Sequence, residues 1–417
     1  MRQELPPLGD APLKQCPPVE ARVSGFAAAA AAAGIRSDGR EDLALIAAAE
    51  PCPAAGVFTT NRLAAAPVEV CREHLAAGRL RAVVVNSGCA NAATGQPGLE
   101  AARATCRAAA GTLGCRPEEI APCSTGVIGQ PLPAGRIADA LPGLAAGLAP
   151  AGLEAAARAM MTTDAFAKLA RASCRVHGAE CTVVGLAKGA GMIRPDMATM
   201  LAFVLTDAAA SPAALGRTVA AAAEQSFNRA TVDGDMSTND TLLLWASGRA
   251  GNPVLEPGEA ELAPLAGAVT RVCQELAAML VADGEGAGHL VRVVVSGAPD
   301  HAAARRLAYA IAHSPLCKTA FAGQDPNWGR LLSAAGAEAA RAGLPFAAHK
   351  TRLWIGETLI AEAGLYAGPD AERAAARAMR RPRYQVHLEA GSGPGEFWLL
   401  TSDLDTTYIK INADYRS

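Results

Sequence analysis

The unbroken apolar run Met200–Leu205 constrains the fold of this chain more than any other feature. Six residues without a polar break read as a strand buried on both faces, with a short helix the alternative that periodicity alone leaves open. The chain has 417 residues, enough for two or three domains or one large one. Apolar residues make up 51% of it and aromatics only 4%, so the core is to be built from Ala, Leu and Val rather than from rings.

Other segments give the coarse organisation. Ala82–Val85 reads as a buried strand running into the Asn86-Ser87-Gly88 loop. Leu99–Ala110 is an Ala-rich helix ending near Gly111, and Leu153–Met161 is a further helix. The Pro/Gly-bearing stretch Leu141–Gly152 between them reads as a loop or linker. Leu215, Val219, Ala223 and Phe227 mark one helix, and the series from Leu262 to Met279 marks a stronger amphipathic one. Strands are expected at Leu290–Val295, Arg352–Ile355, Tyr384–Leu388, Phe397–Leu400 and Tyr408–Ile411. Strands and helices mix without a regular β-α-β beat, which favours packed layers of sheet and helix over a doubly wound sheet.

The 38 basic and 40 acidic side chains leave a net charge of −2, against a dedicated nucleic-acid binder. No apolar run approaches the ~18–20 residues of a membrane span, and the acidic, Pro-bearing first ten residues do not read as a signal peptide. The expected compartment is the cytoplasm. Eleven scattered cysteines with no Cys-x-x-Cys pair fit reduced thiols, and no Cys/His cluster has zinc-ligand spacing. Asp233, Asp235 and Asp240 lack the loop length and terminal Glu of an EF-hand, so no metal is expected. Lys188-Gly189-Ala190-Gly191 lacks the ending of a phosphate-binding loop and reads as a turn.

The stretch from Lys188 to Leu205, KGAGMIRPDMATMLAFVL, is the most informative. Taken alone, Thr199 is a strand-entry residue; the functional alternative is a nucleophile, with glycines nearby that let backbone approach a ligand. This stretch resembles the self-cleavage site of the ornithine acetyltransferases, arginine-biosynthesis enzymes with an N-terminal threonine nucleophile. Seven more segments resemble the same family, in family order: NSGCANAATG (86–95), STGVIG (124–129), MTTD (161–164), FNRATVDGDMSTNDT (227–241), DGEG (283–286), KTAFAGQDPNWGR (318–330) and YIKINADY (408–415). The sequence departs from the family at Cys89 and Asp196, where Asn is usual, at Arg194, where a smaller residue is usual, and at Gly288-His289, where Thr-Lys is usual.

The resemblance implies a layered α-β-β-α sandwich of mixed sheets, of the N-terminal-nucleophile type. It implies self-cleavage between Ala198 and Thr199 into fragments 1–198 and 199–417 of one interlocked unit, two copies of each forming a heterotetramer. It implies transfer of acetyl from N-acetyl-L-ornithine to L-glutamate through acetyl-Thr199, with acetyl-CoA a possible second donor and no bound cofactor. It assigns Thr125 and Gly126 to the oxyanion site. Lys188, Glu285, Thr162, Asn412 and Ser417 become substrate-binding positions. Two competing readings are a self-cleaving amidase or aminopeptidase-like hydrolase, with water as acceptor, and an inactive small-molecule binding homologue.

Overall fold

The computed structural model describes residues 5, 8, 12–194 and 200–414; Asp196, Ala198, Thr199 and Ser417 lie outside the described residues. The strands are β1 (Phe26–Ala31), β2 (Leu43–Phe58), β3 (Arg79–Asn86), β4 (Ile120–Ser124), β5 (Lys168–Val176), β6 (Ala179–Lys188), β7 (Leu201–Thr206), β8 (Ala230–Thr231), β9 (Thr241–Ala246), β10 (Leu290–Ala298), β11 (Arg352–Ile355), β12 (Thr358–Glu362), β13 (Leu365–Tyr366), β14 (Arg383–Glu389) and β15 (Gly395–Ser402). The helices are α1 (Ala66–Leu75), α2 (Gly95–Leu113), α3 (Ala134–Ala146), α4 (Leu153–Ala159), α5 (Pro212–Glu224), α6 (Leu262–Ala282), α7 (His301–His313), α8 (Pro315–Ala322), α9 (Trp328–Ala342), α10 (Pro369–Met379) and α11 (Thr406–Asp414). The chain forms two compact units. The larger is built on Cys16–Asn228 and Asp235–Leu280, the smaller on Arg229–Gly234 and Val281–Tyr415.

In the larger unit the strand order is β4-β3-β2-β9-β7-β6-β5, with β1 added on β2. The long β2 changes partner along its length: Leu43–Pro53 pairs with β3 and Ala54–Phe58 with β9, with a register break between Ala47 and Cys52. Such a break bends a strand. The two halves of the sheet share one core, in which Ile46, Val83 and Val85 meet Leu186, Phe203 and Trp245. The outer face of the first half carries α2 and α3 through Cys106, Ile137 and Leu141. Across the second half, a Cβ built on Gly185 of β6 would lie 2.5 Å from Val272 and 2.7 Å from Leu276, so the missing side chain lets α6 seat directly on the strand. The layers therefore run α-β-β-α.

The apolar run Met200–Leu205 supplies the first five residues of β7, and all six residues of that strand are buried. Leu201, Phe203 and Leu205 enter the inter-sheet core, while Val204 faces the α6 side beside Gly185. Each such Leu or Phe side chain contributes roughly 1.5–3 kcal/mol relative to exposure. Helix α6 is, by length and composition, apolar enough to cross a membrane, with a mean hydropathy of 1.4. Its Leu265, Val269, Val272 and Leu276 are fully buried within this fold.

The smaller unit holds a mixed sheet of order β13-β12-β11-β14-β10-β15-β8. Residues Val291, Val293 and Val295 of β10 pack with Leu307 and Ile311 of α7, Phe321 of α8, Leu331 of α9 and Met379 of α10.

Two expectations from sequence are corrected. Tyr408–Ile411 is not a strand but lies in α11. Asp405 accepts the Thr407 N–H at 2.7 Å and so caps a helix start, which outweighs the β-branched character of the run. Leu141–Gly152 is not a linker throughout: α3 runs to Ala146 and carries Pro142 inside it. Burial of Ile137, Leu141 and Leu144 on one face holds that turn helical.

Candidate functional site

In the larger unit, β6 ends at Lys188, whose side chain is buried among polar groups. Its Nζ donates to Thr125 Oγ1 at 3.1 Å and to Thr162 Oγ1 at 2.9 Å. Three of the residues singled out from sequence, far apart in the chain, thus meet at one ammonium. Thr125 follows β4, and its N–H donates to the Asn86 carbonyl at 3.0 Å. Next to it, Gly126 has φ +130°, and a Cβ there would lie 2.4 Å from the Gly88 carbonyl carbon and 2.6 Å from Cys89 N. Only glycine fits this close crossing of the two loops. Asn239 ties the same loops together, donating to the carbonyls of Ala90 and Ser124. The segments 86–91, 124–126 and 237–241, separate in sequence, are one hydrogen-bonded structure.

Asp164 organises the cluster from behind. Its Oδ1 accepts from Lys168 Nζ at 2.7 Å and from Gly189 N–H at 2.6 Å, and its Oδ2 accepts from Thr162 N–H at 2.9 Å. Neither side chain of the Lys168–Asp164 pair is exposed. Burial pushes the Asp164 carboxyl up, but the charges of Lys168 and Lys188 and the bonds from Lys168 and Gly189 outweigh it and hold the group well below the usual carboxylate range. Removing one partner of such a pair costs about 3–5 kcal/mol.

The strand ladder sets where the chain resumes in β7. Lys188 of β6 stands opposite Leu201 of β7. Met200, which directly follows Thr199, is held at both ends: its N–H donates to Asp240 Oδ1 at 2.9 Å and its carbonyl accepts from Thr241 N–H at 3.0 Å.

In the smaller unit, Glu285 is nearly buried, and its Oε2 accepts from Asn412 Nδ2 at 2.6 Å. Two more predicted residues are thereby brought together. The turn after Glu285 is clamped by Asp403, whose Oδ1 accepts from Gly288 N–H at 2.8 Å and His289 N–H at 3.1 Å, and whose Oδ2 lies 2.7 Å from His289 Nδ1. His289 is buried, with its ring edge-on to Tyr384, rather than facing solvent. Lys318 of the KTAF segment is buried and bonds to Thr401 Oγ1 at 3.1 Å and to the Ser402 carbonyl. Burial pulls its ammonium down to about 8, against the attraction of Asp403 and Asp233.

In the sequence alone, Asp164 is only a member of the MTTD segment, Asp240 only a weak metal-ligand candidate, and Asp403 carries no mark. Among the described residues no three His, Cys, Asp or Glu side chains are grouped to hold a metal. The signal for Asp164 was its place two residues after Thr162; Asp403 has no local signal, because its partners lie 114 and 115 residues away.

The cation and hydroxyls around Lys188 make a site suited to a negative oxygen, the requirement of the enzymes that transfer acyl groups. Comparison with known proteins gives the particular family. The ArgJ family model matches residues 27–417. The arginine biosynthesis bifunctional protein ArgJ of Geobacter sulfurreducens is 47% identical over 395 residues, 95% of this chain and 100% of that protein. The protein of the same name from Methylococcus capsulatus is 45% identical over 406 residues, 97% of each. Among solved structures, an ornithine acetyltransferase from Mycobacterium tuberculosis, complexed with ornithine, is 36% identical over 44% of this chain and 98% of that one, with a TM-score of 0.38. The chain belongs to the ArgJ family.

Proposed function

We propose that this protein moves acetyl from N-acetyl-L-ornithine to L-glutamate through an ester on Thr199. Family membership across nearly the whole chain makes it an acetyltransferase of arginine biosynthesis. The observation that carries the site assignment is the convergence of Lys188, Thr125 and Thr162 beside the strand that begins just after Thr199.

Self-cleavage comes first. Thr199 Oγ attacks the Ala198 carbonyl, the peptide C–N bond breaks in an N-to-O shift, and water hydrolyses the resulting ester. The products are an Ala198 carboxylate and a free Thr199 amine. An α-amine has a reference pKa of about 7.7–8.0, so it serves near neutrality as base to its own hydroxyl. In transfer, Thr199 Oγ attacks the acetyl carbonyl as the amine takes the hydroxyl proton. The tetrahedral oxyanion is met by Thr125 Oγ–H and Gly126 N–H. Because Thr125 Oγ1 already accepts from Lys188, its own hydrogen is left to donate. The C–N bond to ornithine breaks, the Thr199 ammonium returns its proton to the leaving amine, and acetyl remains on Oγ. The amine of glutamate then attacks this ester by the reverse sequence.

Lys188 pairs with a substrate carboxylate or lowers the amine pKa; Glu285 faces a cationic substrate amine or shuttles a proton; Thr162, Asn412 and Ser417 hydrogen-bond the substrates. The reading further includes acetyl-CoA as second donor, an assembly of two copies of each fragment, and a cytoplasmic location that the eleven free thiols fit.

Two measurements test it. On a denaturing gel the purified protein runs as two fragments, and Thr199→Ala stays whole and inactive; a Thr199→Ala chain that still splits at this bond removes the nucleophile. Incubation with N-acetylornithine yields N-acetylglutamate and ornithine in equal amounts only when glutamate is present. Release of acetate at the same rate without glutamate would mark a hydrolase instead.

A further inference from the structure

We propose that Asp240 is a positioning residue for Thr199: by accepting the Met200 N–H, it fixes the one covalent link that Thr199 keeps after self-cleavage. The proposal rests on the nucleophile role argued above for Thr199. Before the cut, Thr199 is anchored on both sides. Afterwards its amine is free and the residue hangs from Met200 alone. Met200 is pinned at its N–H by Asp240 and at its carbonyl by Thr241, so the residue from which Thr199 hangs is held on both of its backbone polar groups. Effective molarity is lost steeply with misplacement, about 10²-fold for 1 Å.

The state of the carboxyl matters as much as its place. Asp240 has no exposure, and its Oδ2 has no hydrogen-bond partner among the described residues. Burial pushes the group well above the usual carboxylate range, against the Met200 N–H, the Lys188 charge and the Thr59 hydroxyl. Lys188 is the charged group that faces it. Such an environment favours the protonated carboxyl, whose carbonyl oxygen is then the acceptor. The Thr199 amine and the Met200 nitrogen flank the same Cα–C pair. A carboxylate beside them would favour the ammonium form and disable the base; a neutral acid does not. Asn, which keeps an acceptor oxygen without a charge, is then the closest substitute for the working form.

The test compares Asp240→Ala with Asp240→Asn, using Thr199→Ala as control. Asp240→Ala should slow both self-cleavage and transfer about 10²-fold, with KM for N-acetylornithine little changed. Asp240→Asn should recover most of that loss and leave the acidic limb of the kcat/KM–pH profile where it stands in the wild type. The Asn variant should also lose less stability than the wild type as pH rises from about 4 upward. There the folded wild type holds a proton that its unfolded chain has released, so its stability falls with pH, and Asn has no such proton. Wild-type rates in Asp240→Ala overturn the proposal while leaving Thr199 intact as nucleophile. Asp240→Asn as slow as Asp240→Ala, or a displaced acidic limb, overturns it in favour of a working carboxylate. If Asp240→Ala does not fold, the Asn variant decides: cleavage with an unmoved limb supports the proposal, and a folded but uncut chain overturns it.

Discussion

Lys188, Thr125 and Thr162 stand 63 and 26 residues apart along the chain and within hydrogen-bond reach in space. Family resemblance named all three, yet nothing local could say that one ammonium would join them. The joining depends on Asp164, which fixes the Thr162 and Gly189 amides on either side of Lys188, and on Gly126, whose lack of a side chain lets two loops cross. A prediction at this scale concerns Thr125. Losing one oxyanion donor costs about 10²–10³-fold in kcat, so Thr125→Ala should fold, cleave slowly and transfer slowly, because both reactions pass through an oxyanion. A change confined to KM for glutamate would make Thr125 a substrate contact instead. The departure from Thr-Lys to Gly288-His289 also resolves at residue scale. The backbone N–H groups of Gly288 and His289 and the His289 imidazole all reach Asp403.

Elements were legible where burial dominated and illegible where capping or pairing did. The strands β3, β7, β10 and β15 carry apolar runs and β14 alternates buried with half-buried residues; of the two long helices, α2 is legible from its alanine content and α6 from its period. By contrast β1 is FAAAAA, which helix propensity would make helical; its pairing with β2 from Phe26 to Ala31 decides otherwise. Helix α11 was hidden by the strand-like YIKI and revealed by the Asp405 cap. Its formation places Asn412 one turn after Tyr408, where its amide reaches Glu285. The turn from Asp283 to His289 therefore has two supports, Asn412 on the carboxylate and Asp403 on the backbone. Asp403→Asn keeps one acceptor but loses the charge opposite His289. It should lower kcat for N-acetylornithine while the protein still self-cleaves, read by comparing gel and steady-state rates; unchanged kcat would mean that the turn holds itself.

For the whole molecule, the cut at Ala198 would pass through one sheet rather than between two units. Residues on either side of it enter neighbouring strands, β6 and β7, paired from Val183↔Thr206 to Lys188↔Leu201. Their ladder would keep the fragments joined after cleavage, which is why fragments and compact units need not coincide. The layered mixed α/β class was legible from the irregular mixing of elements. The division into a unit of Arg229–Gly234 plus Val281–Tyr415 was not, because the chain leaves the larger unit to place the two-residue β8 beside β15 and then returns. The proposed transfer depends on an acetyl group carried on Thr199. Protein incubated with N-acetylornithine without glutamate, quenched in acid and analysed by mass spectrometry, should show the fragment beginning at Thr199 heavier by one acetyl group, located on that threonine. Added glutamate should discharge it as N-acetylglutamate. An unmodified fragment in protein that is still turning over, together with intersecting rather than parallel double-reciprocal plots, would mean direct transfer between substrates and remove the acetyl-Thr199 intermediate.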